Sequence, residues 1–431
     1  MKPVRLTVLT GLVTLQMVFN LANAEEFSFN VSAYEKKPYE FNGHFDLMAT
    51  QLNINPNSAL SNLAFKPPAK PQDFQRYNSE LELNGLYRFD KSSLNFRSLS
   101  LWQDDILTQT TEHTLQEGFW RYQPSNQWSF DLGKRAIKWG KGYAWNPVGF
   151  LERAKNPDDP EINREGFILA GGEYTKSLPG LVKTVSAAFF AIPVSDTLNE
   201  DFSSNTTESL FFGGKLYLLV ADTDIDFYLR HSAETNTDYG MSFATNLATN
   251  FELHGDFAYR DQVFQTQITD TPSLASTIES TFQSLVGIRY LTTTDLTWIV
   301  EWLHNPQGYS TNEMTDFYSL AKSDPDTSPL DYQLAQQAKQ GSYSLSNSRQ
   351  NYLYIKASQK DFADIVYLNS ALTLISNLED SSYLLTPELI YTGYKNSELR
   401  FRATTFQGSN NSEFAEKLTD LKLEFRARVF F

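Results

Sequence analysis

From about residue 39 onward, apolar side chains recur at every second position in short runs. Tyr39-Phe41-Phe45-Leu47, Leu81-Leu83-Tyr87, Trp128-Phe130-Leu132, Ile225-Phe227-Leu229 and Leu296-Trp298-Val300-Trp302 are examples, with mostly Asp, Glu, Arg, Asn, Ser and Thr between them. A period of two marks a β-strand with one oily and one wet face. Eighteen such segments can be placed, the first at 39–53 and the last at 420–431. Every second connection is tight and made of turn formers: FDKSS, QPSNQ, KSLPG, ADTD, ATN, TTTD, QKD and YKNSE. The connections between are mostly long: 54–76, 140–164, 192–208, 261–279 and 305–349. This rhythm predicts an all-β fold, a transmembrane antiparallel up-and-down β-barrel of about 18 strands. Its turns are short and periplasmic, its loops long and extracellular. Two segments break the pattern. In 94–103, Leu99 and Leu101 are out of phase with Leu94 and Phe96, and in 381–393 Pro387 interrupts a ladder. Dropping that pair gives 16 strands.

The final segment, LKLEFRARVFF, alternates strictly up to Phe431. With an even strand number and a periplasmic N-terminus, this strand ends at the inner rim and pairs with the first, leaving no open edge. A terminal aromatic after alternating apolar residues also resembles the targeting signal read by the barrel-insertion machinery, which makes Phe431 the candidate targeting residue.

The N-terminal residues change the picture. Lys2 and Arg5, the apolar LTVLTGLVTLQMVF and the small-x-small Ala22-Asn23-Ala24 read as a cleaved signal peptide over 1–24. Residues 25–38 form a short periplasmic lead or an extra strand, and 39–431 the barrel. The 431 residues include no cysteine, which removes disulfides, thiolate metal sites and thiol nucleophiles. The formal charge is −15, and −17 once Lys2 and Arg5 are cleaved away, which argues against nucleic acid as a partner. No apolar run after residue 24 reaches eighteen residues. An exported, aromatic-rich chain of this kind crosses a bilayer as a barrel. The expected location is the bacterial outer membrane, with its lipid as one partner.

Candidate chemistry concentrates at 132–150, LGKRAIKWGKGYAWNPVGF. Lys134, Arg135, Lys138 and Lys141 form a basic cluster interleaved with Trp139, Tyr143 and Trp145. Gly140 and Gly142 open backbone angles closed to other residues, and Asn146-Pro147-Val148-Gly149 suits a type I turn. Either this loop folds into the lumen and offers cations and aromatic faces to a solute, or it is a girdle of aromatics with snorkelling cations. The alternation also points Arg88, Arg230, Arg260, Arg289, Arg400, Arg402, Arg426 and Arg428 inward. With them go Glu40, Asp46, Glu80, Glu82, Asp131, Asp224, Asp226, Glu252, Asp256, Glu301 and Glu424. So many charges require a water-filled interior. The set reads as a charged channel, though most single residues read as cross-strand ion pairs. Neither sign dominates. His44, His113, His231, His254 and His304 lack metal-site spacing and read as lumen or rim residues. The longest loop, 305–349, contains the helix-forming DYQLAQQAKQ and reads as a lid, a plug or a solvated surface loop.

With its signal peptide, alternating segments and a strand ending in LGKRAIKWGKG, the chain resembles the alginate-export-type outer-membrane barrels and their substrate-selective porin relatives. Gly133-Lys134-Arg135 and Trp139-Gly140 stand where those families carry a Gly-Arg-Gln stretch and a Trp/Tyr-Gly turn. The resemblance implies passage of a small or oligomeric hydrophilic solute and a monomeric barrel. The mixed charge departs from the basic lumens of the export barrels. The expectation is a passive, non-enzymatic channel without cofactor or metal. The alternative is a non-channel barrel: an enzyme with a rim site, or an assembly or lipid-handling protein. An energy-coupled receptor would need a plug domain, and only about fourteen residues separate position 25 from the first strand.

Overall fold

Among the described residues, the period-two segments become backbone ladder. The computed structural model describes residues 37–65, 70–202, 208–233, 237–269, 273–345 and 347–431. The stretches expected to be a signal peptide and a lead lie outside these, apart from Lys37 and Pro38. The first six strands are β1 (Tyr39–Ile54), β2 (Asp73–Phe89), β3 (Ser92–Asp104), β4 (Gln109–Tyr122), β5 (Trp128–Arg135) and β6 (Phe167–Ser177). Then come β7 (Val182–Val194), β8 (Ser209–Val220), β9 (Thr223–His231), β10 (Asp238–Ala248), β11 (Phe251–Ile268) and β12 (Leu274–Leu291). The last six are β13 (Leu296–His304), β14 (Asn351–Gln359), β15 (Leu368–Asn377), β16 (Tyr383–Tyr391), β17 (Ser397–Gln407) and β18 (Thr419–Phe430). Each strand pairs antiparallel with the next, and β1 also pairs with β18, so the sheet closes as an 18-stranded barrel.

The closure is a full ladder from His44↔Phe430 to Leu52↔Lys422. Gly43 and Phe431 exchange backbone hydrogen bonds of 3.0 and 3.1 Å. On the outer face stand Tyr39, Phe41, Phe45 and Leu47 of β1, Tyr77 and Tyr87 of β2, and Trp128 and Phe130 of β5. Tyr77 and Tyr87 sit ten residues apart on one strand. At about 3.3 Å per residue and a tilt of about 40°, that separates two aromatic levels by about 25 Å, the height of an apolar bilayer band. The short turns use residues that tolerate left-handed backbone: Asp90, Asp222, Asp295 and Asn396 have φ of 50°, 63°, 58° and 53°.

Both irregular segments are strands. Leu94, Phe96 and Trp102 of β3 share the outer face, while Leu99 and Leu101 line the interior. The out-of-phase leucines are thus lumen residues on an unbroken strand. Pro387 lies opposite Leu372, and the β16–β17 register continues past it. The connection expected at 261–279 is instead mostly strand, because β11 and β12 extend to Ile268 and Leu274 with one register shift. The 360–367 connection at the short-turn end is longer than QKD implied.

Three helices pack at the long-loop end: α1 (Ala59–Ala64), α2 (Thr311–Ala321) and α3 (Pro329–Gln340). Ser310 and Glu313 form a reciprocal capping box at the start of α2. Leu63, Met314, Phe317, Tyr318, Ala335 and Tyr343 share one core, so 305–349 is a packed cap rather than a solvated loop. Beneath it, Glu413 accepts hydrogen bonds from Tyr352 Oη (2.7 Å) and Asn377 Nδ2 (3.0 Å). Burial, with a contribution from Asp380, raises its carboxyl above the ordinary range. A carboxyl raised by folding binds protons more readily in the native loop, so the loop gains stability as pH falls through that value. Proteolysis of loop 408–418 is therefore expected to be slower at acidic than at alkaline pH. A Glu413→Gln variant, digested in parallel, should lose most of that pH response.

Candidate functional site: an inserted loop and the passage beside it

The 136–166 segment between β5 and β6 folds into the lumen. Its apolar residues explain why. Ile137, Trp139, Val148, Phe150 and Leu151 pack on Phe167, Leu169, Phe190, Ile192 and Phe211 from the inward faces of β6, β7 and β8. Further along, Ala144 and Trp145 pack on Leu285, Leu303, Tyr352 and Tyr354 from β12, β13 and β14. Each large side chain so buried contributes about 1.5–3 kcal/mol. Trp139 and Trp145 are only 4 % exposed. They anchor the loop and show a solute little of their rings, Trp145 only at the edge of one cavity and Trp139 at the edge of another. Tyr143, half-buried, stands edge-on to His254 with its hydroxyl 3.4 Å from Glu252.

Six consecutive backbone N–H groups of this loop donate to side-chain oxygens. Trp139 donates to Glu152 Oε1 (3.0 Å) and Gly140 to Tyr228 Oη (3.2 Å). Lys141 and Gly142 donate to the two oxygens of Asp256 (2.8 and 3.3 Å). Tyr143 and Ala144 donate to the two oxygens of Glu301 (2.5 and 2.8 Å). His254 Nε2 lies 2.9 Å from Glu301, and its Nδ1 3.3 Å from Glu252. Asp226, His254, Asp256 and Glu301 are all fully buried. Gly140 has φ +93°, and a Cβ there would lie 2.6 Å from Asp256 Oδ2, so the glycine is required on both counts. The Asn146–Gly149 turn closes with Gly149 N–H to Asn146 C=O at 2.9 Å.

The same loop then reaches the opposite wall. Arg400 binds Asp159 (2.9 Å), and Arg402 binds the carboxylate and carbonyl of Asp158 (2.7 and 2.8 Å). Asn163 donates to Glu82 (3.2 Å). A cavity of about 480 Å³ remains between residues 156–163 and the inward faces of β14–β18 and β1–β4. Along β18 its lining runs from Lys422 to Arg428, about 15 Å of barrel axis. Nine carboxylates and six Lys or Arg cations line it.

The remaining inward residues divide by depth and sector. Asp46 holds Arg428 through two 2.6 Å bonds across the seam, with Arg426 at 3.8 Å. Glu80 and Glu82 flank His44, whose Nε2 lies 3.2 Å from Glu80. His44, Asp46 and Glu80 place possible ligand atoms within 4.8 Å of one another, but Arg428 occupies both Asp46 oxygens. Glu424 approaches Lys422 and Arg402. Arg88 pairs with Glu40 (2.7 Å) near the short-turn end, outside the cavity lining. Asp131 takes Arg121 and Arg135. Lys141 binds Asp226 (3.0 Å) and lies 3.9 Å from Asp224, while Arg289 stands opposite Glu252 in the ladder. Lys138 is exposed beside a recess of about 310 Å³. Lys134 sits near the long-loop end of β5 and binds Glu165, away from the passage. Arg230 and Arg260 lie in a separate cavity on the extracellular side of the loop. Glu152, Asp158, Asp159 and Asn163 escaped sequence reasoning, although the dense mixed charge of 151–165 was the available signal.

No protein-family model matches the sequence, and no curated protein matches it either. Solved structures do. Wzi of Escherichia coli, an outer-membrane protein involved in group 1 capsule assembly and described as a carbohydrate-binding β-barrel, is similar with a TM-score of 0.52. The match has 9 % identity and covers 91 % of this chain and 84 % of that one. OccAB1 of Acinetobacter baumannii gives a TM-score of 0.51 at 12 % identity, over 91 % of this chain and 96 % of that one. The fold is that of bacterial outer-membrane barrels.

Glu301→Ala strands two backbone donors and His254. An unsatisfied buried group costs about 1–3 kcal/mol, so the variant should expose new protease sites within 136–166 in detergent. The heat-modifiable gel shift of the intact barrel should persist.

Proposed function

We propose that this chain is a passive channel of the bacterial outer membrane for small or oligomeric hydrophilic solutes. The observation that carries the reading is the charged cavity following β18 from Lys422 to Arg428 between the inserted loop and the wall. Water fills it, since drying that many ionised groups would be prohibitive. Nearly every cation there faces a carboxylate, so a polar solute meets paired charges that can exchange its hydration shell without trapping it. The surplus of three carboxylates favours cations weakly, which argues against the polyanion traffic implied by the alginate-export-type resemblance. The channel acts as a monomer without enzyme activity or cofactor, and insertion reads Phe431 and the last strand.

A second reading is a non-conducting barrel whose extracellular side binds a polymer. It draws on the similarity to Wzi and on the bulk of the inserted loop. Planar-bilayer recording separates the two. Step-wise currents with a small cation preference in a salt gradient support the channel. A silent membrane with correctly folded protein supports the second reading. Glu80→Gln combined with Glu82→Gln should shift the reversal potential toward anions, and an unmoved potential would remove the passage from the ion path.

A further inference from the structure

We propose that the extracellular side of the inserted loop carries a binding site for a small organic anion with an apolar body, centred on Arg260. A cavity of about 470 Å³ lies there, lined in part by Arg153, Lys155, Arg230 and Arg260. Arg153 is paired with Asp201 and Glu165, and Arg230 with Asp238. Arg260 has no carboxylate within ion-pair distance among the described residues. Its guanidinium donates to Pro147 C=O (3.1 Å) and lies 5.3 Å over the Phe150 ring. Its Nε is buried and meets no acceptor among the described residues. Lys155 donates to the carbonyls of Gly142 and Tyr143, and the Glu152 carboxylate, which shares the lining, acts on it at longer range.

An arginine with no ion-pair partner among the described residues, in a lining of four cations against the two carboxylates of Glu152 and Asp201, is unexpected in a chain of net charge −15. A buried charge without a partner is unfavourable, and an anion in the cavity supplies the partner. The walls define the rest of that anion. Trp145, Phe150, Phe167 and Phe202 line the same space, so the ligand presents an apolar or aromatic body as well as a charge. A guanidinium pairs well with a carboxylate, through two parallel hydrogen bonds where both edges are free. The site is proposed for binding alone and does not rest on the channel reading, whose passage weakly favours cations.

The test uses full-length mature protein in detergent and isothermal titration calorimetry, with benzoate as probe and benzyl alcohol as its uncharged counterpart. Saturable benzoate binding is expected, with benzyl alcohol at least about tenfold weaker. Arg260→Gln should weaken benzoate by a similar factor. Arg76→Gln, at a rim ion pair with Asp105, should leave it unchanged. Absent or unsaturable benzoate uptake overturns the proposal, as does equal affinity for the alcohol. Both of those results come from the unmutated protein, so they stand even if a variant misfolds. A folded Arg260→Gln protein that binds benzoate as tightly as wild type overturns it too. Because no current is measured, a silent bilayer leaves the site intact, and currents without benzoate binding sink only the site.

Discussion

A run of backbone with no ladder of its own is held inside this barrel by side-chain oxygens. From Trp139 to Ala144 every N–H finds an acceptor on Glu152, Tyr228, Asp256 or Glu301. Buried amides must be paired, and carboxylate acceptors make stronger bonds than carbonyls. The amides in turn supply the buried carboxylates of Asp256 and Glu301 with the donors their oxygens need. Each partner makes the other's burial tolerable. The position of the passage follows, since the loop packs on the β6–β8 and β12–β14 walls and leaves a cavity along β14–β18 and β1–β4.

The apolar packing is organised by the same insertion. Where the loop rests on the wall, strands are apolar on both faces: Phe189 points to lipid and Phe190 into the loop core. Where the wall borders the passage, the inward face is ionic, with Asp46 and Arg428, and Glu388 with Arg400 and Arg402, in cross-strand pairs. A single β-sheet thus carries a dry sector and a wet sector, divided by a loop of about thirty residues.

Alternation made the barrel legible because lipid imposes it on every strand. It faded beyond the bilayer, where neither face need be apolar. The polar extensions of β11 and β12 past Arg260 were therefore read as a loop. Leu99 and Leu101 looked like a phase error because a lumen was expected to be polar throughout. Inward charges such as Asp256 and Glu301 were legible as inward, but their role was not. Their hydrogen-bond partners lie 114 to 158 positions away along the chain, and no local pattern encodes such a pairing. The glycines of Trp139-Gly140-Lys141-Gly142 were noticed for their freedom, yet that freedom serves close approach to Asp256.

The loop's two ends of attachment have a mechanical meaning. Its apolar face is seated on β6–β8 at one side of the cylinder, Asp256 and Glu301 grip it from β11 and β13, and Arg400 and Arg402 hold it from the facing β17. Eighteen strands make a wide hoop whose cross-section would otherwise flatten under lateral pressure from the bilayer. A crossbeam bonded to facing walls resists that ovalisation, so the bore is set by a tie rod as well as by strand number and tilt.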